Sequence, residues 1–191
     1  MTGRTHDLAA FTALSYIIAT QPLNKVSLAT AIVAFCVNMI GGLAPDIDLP
    51  TATLWRRIRA GSIIGRLVTP FLGGHRLISH SILGVILFGL VSREILRLTG
   101  DILLVDMDIV WWSFMIGFVS HLLIDMLTKE GVPWLFPIPI HFGIPPLKFL
   151  RIKTGGLTEK SFIFPGLLLV NAYLYYTHYS VFLTFIKNIG K

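Results

Sequence analysis

Cysteine, charge and acidic residues are all scarce in this chain, and each scarcity excludes something. A single cysteine, Cys36, among 191 residues rules out an intramolecular disulfide and any zinc site built on several thiolates. Asp, Glu, Lys and Arg together supply only 14% of the residues, against about 25% in soluble domains. Acidic residues number 10 against 16 Lys and Arg, which leaves a net charge of +6. What is abundant is apolar: 54% of residues are hydrophobic and the mean hydropathy is +0.74. This is the composition of a membrane protein. The positive excess then points to loops facing anionic lipid headgroups, not to nucleic acid as a partner. Cys36 lies mid-segment among apolar neighbours and reads as a small buried hydrophobe. Residues 7–20 are apolar, but Asp7 stands where a basic n-region belongs, and residues 21–25 hold no small-x-small cleavage site. No cleavable signal peptide is expected. No internal repeat or low-complexity tract is visible.

A membrane-spanning helix needs roughly 20 apolar residues. Residues 5–22, 27–43, 77–98, 109–127 and 162–186 approach that length. The expected fold is all-α: one integral-membrane domain over residues 1–191, a bundle of about five transmembrane helices. If all five cross, Arg4 and the two long loops carry 11 of the 16 basic residues on one side. The positive-inside rule places that side, with the N-terminus, in the cytoplasm, so the expected location is the inner (cytoplasmic) membrane, multi-pass.

Metal-ligand residue types sit at the ends of these segments. They are His6, the pair Asp46 and Asp48, His75 with His80, and His121 with Asp125. Under the same five-span alternation all seven fall on the basic, cytoplasmic side, where unrelated polar residues would scatter between both faces. Ionisable groups at membrane depth are functional-site candidates by default, and neutral imidazole with carboxylate suits zinc and similar divalent ions. His121 and Asp125 are four apart on one helix, with Cβ atoms about 5–6 Å apart. Asp46 and Asp48 lie between Pro45 and Pro50, which stop the helix and stiffen an extended turn. Two carboxylates this close repel without a cation between them. His75 and His80 are five apart, so a loop at Gly73-Gly74-His75 is needed for both to point inward, with Ser79 and Ser81 available as helix caps. Arg76 can meet an anionic substrate with its bidentate fork. Residues 151–159 form a basic, Gly- and Thr-containing loop whose backbone N–H groups can cradle an anion. His141 and His178 read as bystanders.

The assembled pieces are Thr5-His6, Pro45-Asp46-Ile47-Asp48 with Pro50, His75-Arg76 through His80-Ser81, His121-x3-Asp125-x2-Thr128 with Gly131, and Leu135-Phe136-Pro137. In this combination and order the chain resembles the YdjM-like family of membrane-bound metal-dependent hydrolases, over roughly residues 5–140. That family is in turn distantly similar to the zinc-dependent phospholipase C and P1-nuclease group, helical enzymes that hydrolyse phosphoesters. The resemblance implies a helical membrane fold and a hydrolase. It also implies His6, Asp46, His75 or His80, His121 and Asp125 as ligands to one or two divalent ions, zinc foremost. The soluble relatives also use their N-terminal amine, for which the sequence offers no evident counterpart.

The function expected is therefore hydrolysis of a small-molecule or lipid phosphoester at the cytoplasmic membrane surface, with membrane lipids as surroundings and partners. Asp46 or Asp48 would act as ligand or base and Arg76 would hold the phosphate. The alternatives are a metal-ion carrier or sensor, and a structural membrane protein with a stabilising metal. A transporter would place its ligands near mid-membrane on broken helices, whereas these lie at helix ends.

Overall fold

The computed structural model describes residues 1–21, 26–72, 76–100 and 104–189. In chain order its helices are α1 (Gly3–Thr20), α2 (Leu28–Gly41), α3 (Thr53–Arg56), α4 (Gly61–Val68), α5 (Ile82–Thr99), α6 (Met107–Asp125), α7 (Phe164–Thr177) and α8 (Tyr179–Asn188). Among the described residues there are no strands, only isolated bridges at Thr128–Ile152 and Val132–Phe142. Three helix starts are capped as their sequences dictate. Ser27 accepts the Thr30 N–H, Ser81 accepts that of Gly84, and Asp106 accepts those of Asp108 and Ile109.

The long helices alternate in direction. Asp106 N–H bonds Thr30 Oγ1 at one end of the α2–α6 pair and His121 bonds the Gly42 carbonyl at the other, so these two run parallel. Trp111 Nε1 donates to Gly89 O, and the Ile82 N–H to Trp134 O, which sets α5 antiparallel to α6. Thr12 meets Asn171 and Ser15 meets Tyr175, so α7 runs with α1. The starts of α1, α5 and α7 and the ends of α2 and α6 thus lie at one end of the bundle.

α6 is the central element. Ten of its 19 residues are buried, and below its last turn Phe114, Phe118 and Leu122 form the core with Ala44 and Val132. α2 approaches it backbone to backbone. A Cβ on Gly117 would overlap the Asn38 carbonyl oxygen, and one on Gly41 would overlap that of Phe114. Small residues permit such crossings where helices cannot rely on an aqueous hydrophobic effect.

The outer surface is apolar. On α5, Ile82, Leu83, Ile86, Leu90, Ile95 and Leu98 all point outward, Leu98 at 74% exposure. Contiguous apolar surface on that scale marks a membrane or partner contact. Of the described helices, α6 alone is long and apolar enough by its own sequence to cross a membrane, and α2 is a shorter apolar helix. Helical stretches with alternating direction occupy the places of the five expected spans, but of the described helices only α6 qualifies as a span, so the structure shows an all-helical bundle and not the count of five crossings. α1 carries Arg4, His6 and Asp7 in its opening turns, and α5 carries Arg93, Glu94 and Arg97 in its closing ones. The fifth stretch, expected to be continuous, breaks at His178 into α7 and α8. Cys36, expected to be buried, is exposed on α2. In a chain whose exterior is itself apolar, an apolar neighbourhood does not mean an interior one.

Candidate metal centre

The polar residues gather where the alternating helices meet. His6 comes from the first turns of α1, His121 and Asp125 from the last turns of α6, and His80 from the residue before the Ser81 cap of α5. Asp46 and Asp48 come from a 3-10 turn, Ala44–Asp48, with Pro45 in its first turn. The expected extended turn is therefore wound. The Trp55 indole, donating to Ile47 O at 2.9 Å, pins it in place.

Among the described residues two overlapping groups result, His6–Asp46–His121 and His80–His121–Asp125, each with ligand atoms within 4.8 Å of one another. His121 Nε2 lies 3.5 Å from Asp46 Oδ1 and 3.8 Å from Asp125 Oδ2. His80 Nε2 lies 3.6 Å and 3.9 Å from the same two oxygens. His6 Nε2 is 3.4 Å from Asp125 Oδ1, and its ring stacks on that of His121 with centroids 3.6 Å apart. His6, His80, His121 and Asp125 are fully buried, and Asp46 retains 21% of its side-chain exposure.

The rings are oriented from behind. His121 Nδ1 bonds the Gly42 carbonyl at 2.8 Å. A carbonyl only accepts, so the proton is on Nδ1 and the Nε2 lone pair faces the carboxylates. Ser79 Oγ donates to Asp48 Oδ2 and lies 2.9 Å from His80 Nδ1. With its proton spent on Asp48, Ser79 accepts from His80 Nδ1, which again turns an Nε2 lone pair inward. Metal-ligating histidines are held in this way. Among the described residues, His121 Nε2 and both nitrogens of His6 have no hydrogen-bond partner. Buried polar atoms are rarely left so, and a cation at this point would satisfy them. The residues therefore fit a divalent ion bound by nitrogen and oxygen.

The sequence candidates take different places. Asp48 is fully buried; it accepts from Ser79 and from the Arg76 N–H at 2.8 Å and lies 3.6 Å from His80 Nδ1, behind that ring. Arg76, expected to await a substrate, pairs with Asp125 Oδ2 at 2.7 Å and reaches the Gly131 carbonyl at 3.2 Å. Its backbone is left-handed, with φ 61°. A bulky residue holds that conformation only when its surroundings enforce it, here through the Asp48 and Asp125 bonds. His75 lies outside the described residues. His141 sits in a surface hollow with Lys129 and Glu130, and His178 bonds Thr177 between α7 and α8.

Two groups went unnoticed in the sequence. The Met1 amino group donates to Asp125 Oδ1. Glu159 is buried and accepts from Thr2 N–H at 2.8 Å, Thr2 Oγ1 at 2.7 Å, Thr5 Oγ1 at 2.6 Å and Gly155 N–H at 2.7 Å. The anion cradled by the 151–159 loop is thus the protein's own carboxylate, which ties that loop to the start of α1. Burial raises the Glu159 pKa, but these donors outweigh it and leave it below its ordinary value of 4.5. Arg151 is likewise structural, bonding the carbonyls of Pro145 and Pro146.

The profile of the YdjM inner membrane protein family matches residues 1–185. The chain belongs to that family. It is 28% identical over 179 residues to YvsG of Bacillus subtilis, covering 92% of this chain and 95% of that protein. The inner membrane protein YdjM of Escherichia coli is 36% identical over 106 residues, 55% of this chain and half of that protein's length, and YdjM of Shigella flexneri matches to the same extent. No solved structure matches.

Proposed function

We propose that this family member is a metal-dependent hydrolase of phosphoesters, seated in the inner membrane with its centre at the cytoplasmic face and holding one or two divalent ions, zinc first. The observation that carries the reading is the set of inward-facing imidazole nitrogens, oriented by a backbone carbonyl and a serine, opposite Asp46 and Asp125. An ion held there lowers the pKa of a bound water to about 7 and offsets charge on phosphoryl oxygens. His6, His80, His121, Asp46 and Asp125 would supply the ligands. Asp46, the partly exposed member, marks the side from which substrate approaches. Arg76 holds Asp125 in register, and Asp48 holds Ser79 and the Arg76 backbone. Membrane seating favours a lipid or lipid-linked phosphate. The near-complete burial of the cluster supports the second reading, a stabilising metal without turnover.

Metal analysis of the purified chain, paired with a screen of phosphomonoesters and phosphodiesters before and after chelation, tests this. At least one zinc equivalent and a chelation-sensitive hydrolysis are expected. Bound metal with no hydrolysis of any ester favours the stabilising role, and a metal-free protein that resists reloading ends both readings. The alternating helix directions and the basic excess at the site end also support five crossings with the N-terminus inside. A reporter fused after Lys191 should then lie outside, and a cytoplasmic signal would sink that topology.

A further inference from the structure

A second polar feature lies at the same end of the bundle, apart from the metal ligands. A cavity of about 500 Å³ opens between the first turn of α1, the short helix α3 and the start of α7. Its walls carry Arg4, Arg56, Arg57 and Lys160, with Thr2 and Phe164. Arg57 pairs with Asp7 at 2.5 Å. Arg4, Arg56 and Lys160 have no carboxylate partner among the described residues. Glu159 makes no ion pair with any of them, its oxygens bonding Thr2, Thr5 and Gly155, so against the four cations Glu159 and Asp7 leave an excess of two positive charges. Three cations without a carboxylate partner thus line one cavity, and a concave cationic wall concentrates anions.

The surroundings narrow the class of anion. Exposed apolar side chains flank the cationic residues in sequence: Ile58 beside Arg57, and Leu157 and Phe162 on either side of Lys160, at 83% and 72% exposure. The neighbouring α4 adds Ile63, Ile64 and Leu67, with Arg66 on the same short helix. Cationic side chains with outward apolar ones form the pattern of a surface lying in the headgroup layer. A soluble phosphate would need only the cations.

We infer that the cavity formed by Arg4, Arg56, Arg57 and Lys160 is a binding site for the phosphate headgroup of an anionic membrane lipid, seated beside the metal centre. This site does not depend on the hydrolase reading. Guanidinium groups grip phosphate oxygens bidentately, and Lys160 adds a point charge. Thr2 and Thr5 continue through the chain to Met1 and His6, so an occupied cavity would also brace the segment that enters the metal centre.

The test uses the full chain in a neutral detergent, with native mass spectrometry counting bound phosphatidylglycerol against phosphatidylcholine, and inorganic phosphate as competitor. Phosphatidylglycerol should bind in preference. The R4Q/K160Q variant should lose roughly ten- to thirtyfold in affinity, since each cation near an anionic lipid contributes about 1 kcal/mol. Arg4→Lys should keep most of the binding. R93Q/R97Q, which removes two cations from the closing turns of α5, should leave binding unchanged. Equal loss in both double variants would reduce the effect to net charge and overturn the site. Displacement by inorganic phosphate as tight as the lipid itself would overturn the lipid assignment and make free phosphate the occupant. No preference over phosphatidylcholine would end the proposal. Zinc content and melting temperature measured on the same samples keep this outcome separate from a failure of the metal centre or of folding.

Discussion

α5 and α6 are nearly equal in length, 18 and 19 residues, and similarly rich in Leu, Ile, Val and Phe, yet they occupy opposite situations. α5 turns its aliphatic side chains outward and buries only Gly84 and Gly89. α6 buries Ser113, Gly117, Ser120, His121 and Asp125 beside its apolar residues, while Trp112 and Leu123 face out. Inside this bundle the small and polar residues mark the interior, and the large aliphatic ones do not discriminate. In water the order reverses, because apolar burial drives packing there. Where the surroundings are apolar, close backbone approach and internal hydrogen bonds decide which face turns in.

The sharpest way to break that contrast is Gly117→Val on α6. Its Cβ would strike the Asn38 carbonyl, and backbone on both sides cannot yield, so folded protein should be lost when assayed by gel filtration in detergent. A variant of normal yield and melting temperature would show that the α2–α6 crossing is not tight.

Next in size come the centre's own residues. His121→Ala removes an inward nitrogen shared by both ligand groups and should abolish bound metal. Arg76→Ala removes one of the partners of Asp125, with a bond to the Gly131 carbonyl, and loss of such an orienting contact costs roughly 10- to 100-fold in metal affinity. Competition against a chelator separates these two outcomes. Full retention of affinity in Arg76→Ala would return that residue to the substrate-holding role its fork first suggested.

A smaller effect is expected at Glu159. Its folded pKa is depressed below 4.5, so its stabilising contribution is present above that value and is lost as pH falls through the lower folded one. Glu159→Gln should lower stability at pH 7 by about 1.5–3 kcal/mol, the range for hydrogen bonds to a charged group, and the gap to the parent should narrow below pH 4.5. Melting curves across that window measure it, and a gap that widens with acid would refute the assignment.

Smallest of all, Leu90→Ala on the outer face of α5, where Leu90 is 61% exposed, should change stability in detergent by less than about 1 kcal/mol, since no core cavity forms. A loss of 3 kcal/mol would place that face against protein instead of lipid.

Composition and segment lengths alone were enough to indicate a helical chain with an apolar exterior and polar residues at segment ends, because these follow from counting along the chain. The His121–Asp125 pair was legible because helical spacing places both on one face. Of the two serines offered as caps, Ser81 caps α5 ahead of its apolar run, whereas Ser79 is taken up by Asp48 and His80. The part played by Arg76 was not, since one guanidinium suits a substrate phosphate or a buried carboxylate equally until Asp125 is seen 2.7 Å away. Glu159 and the Met1 amine were hidden for a related reason: their partners lie 154 and 124 positions distant, and no local pattern encodes a contact of that range. Cys36 misled because apolar neighbours mean burial only when the outside is water. The sequence by itself determined which residue types could bind a cation and roughly where each helix would start. Only the tertiary structure decided which of them share a centre, which stand behind it, and which face outward, because those choices depend on how close two backbones can come.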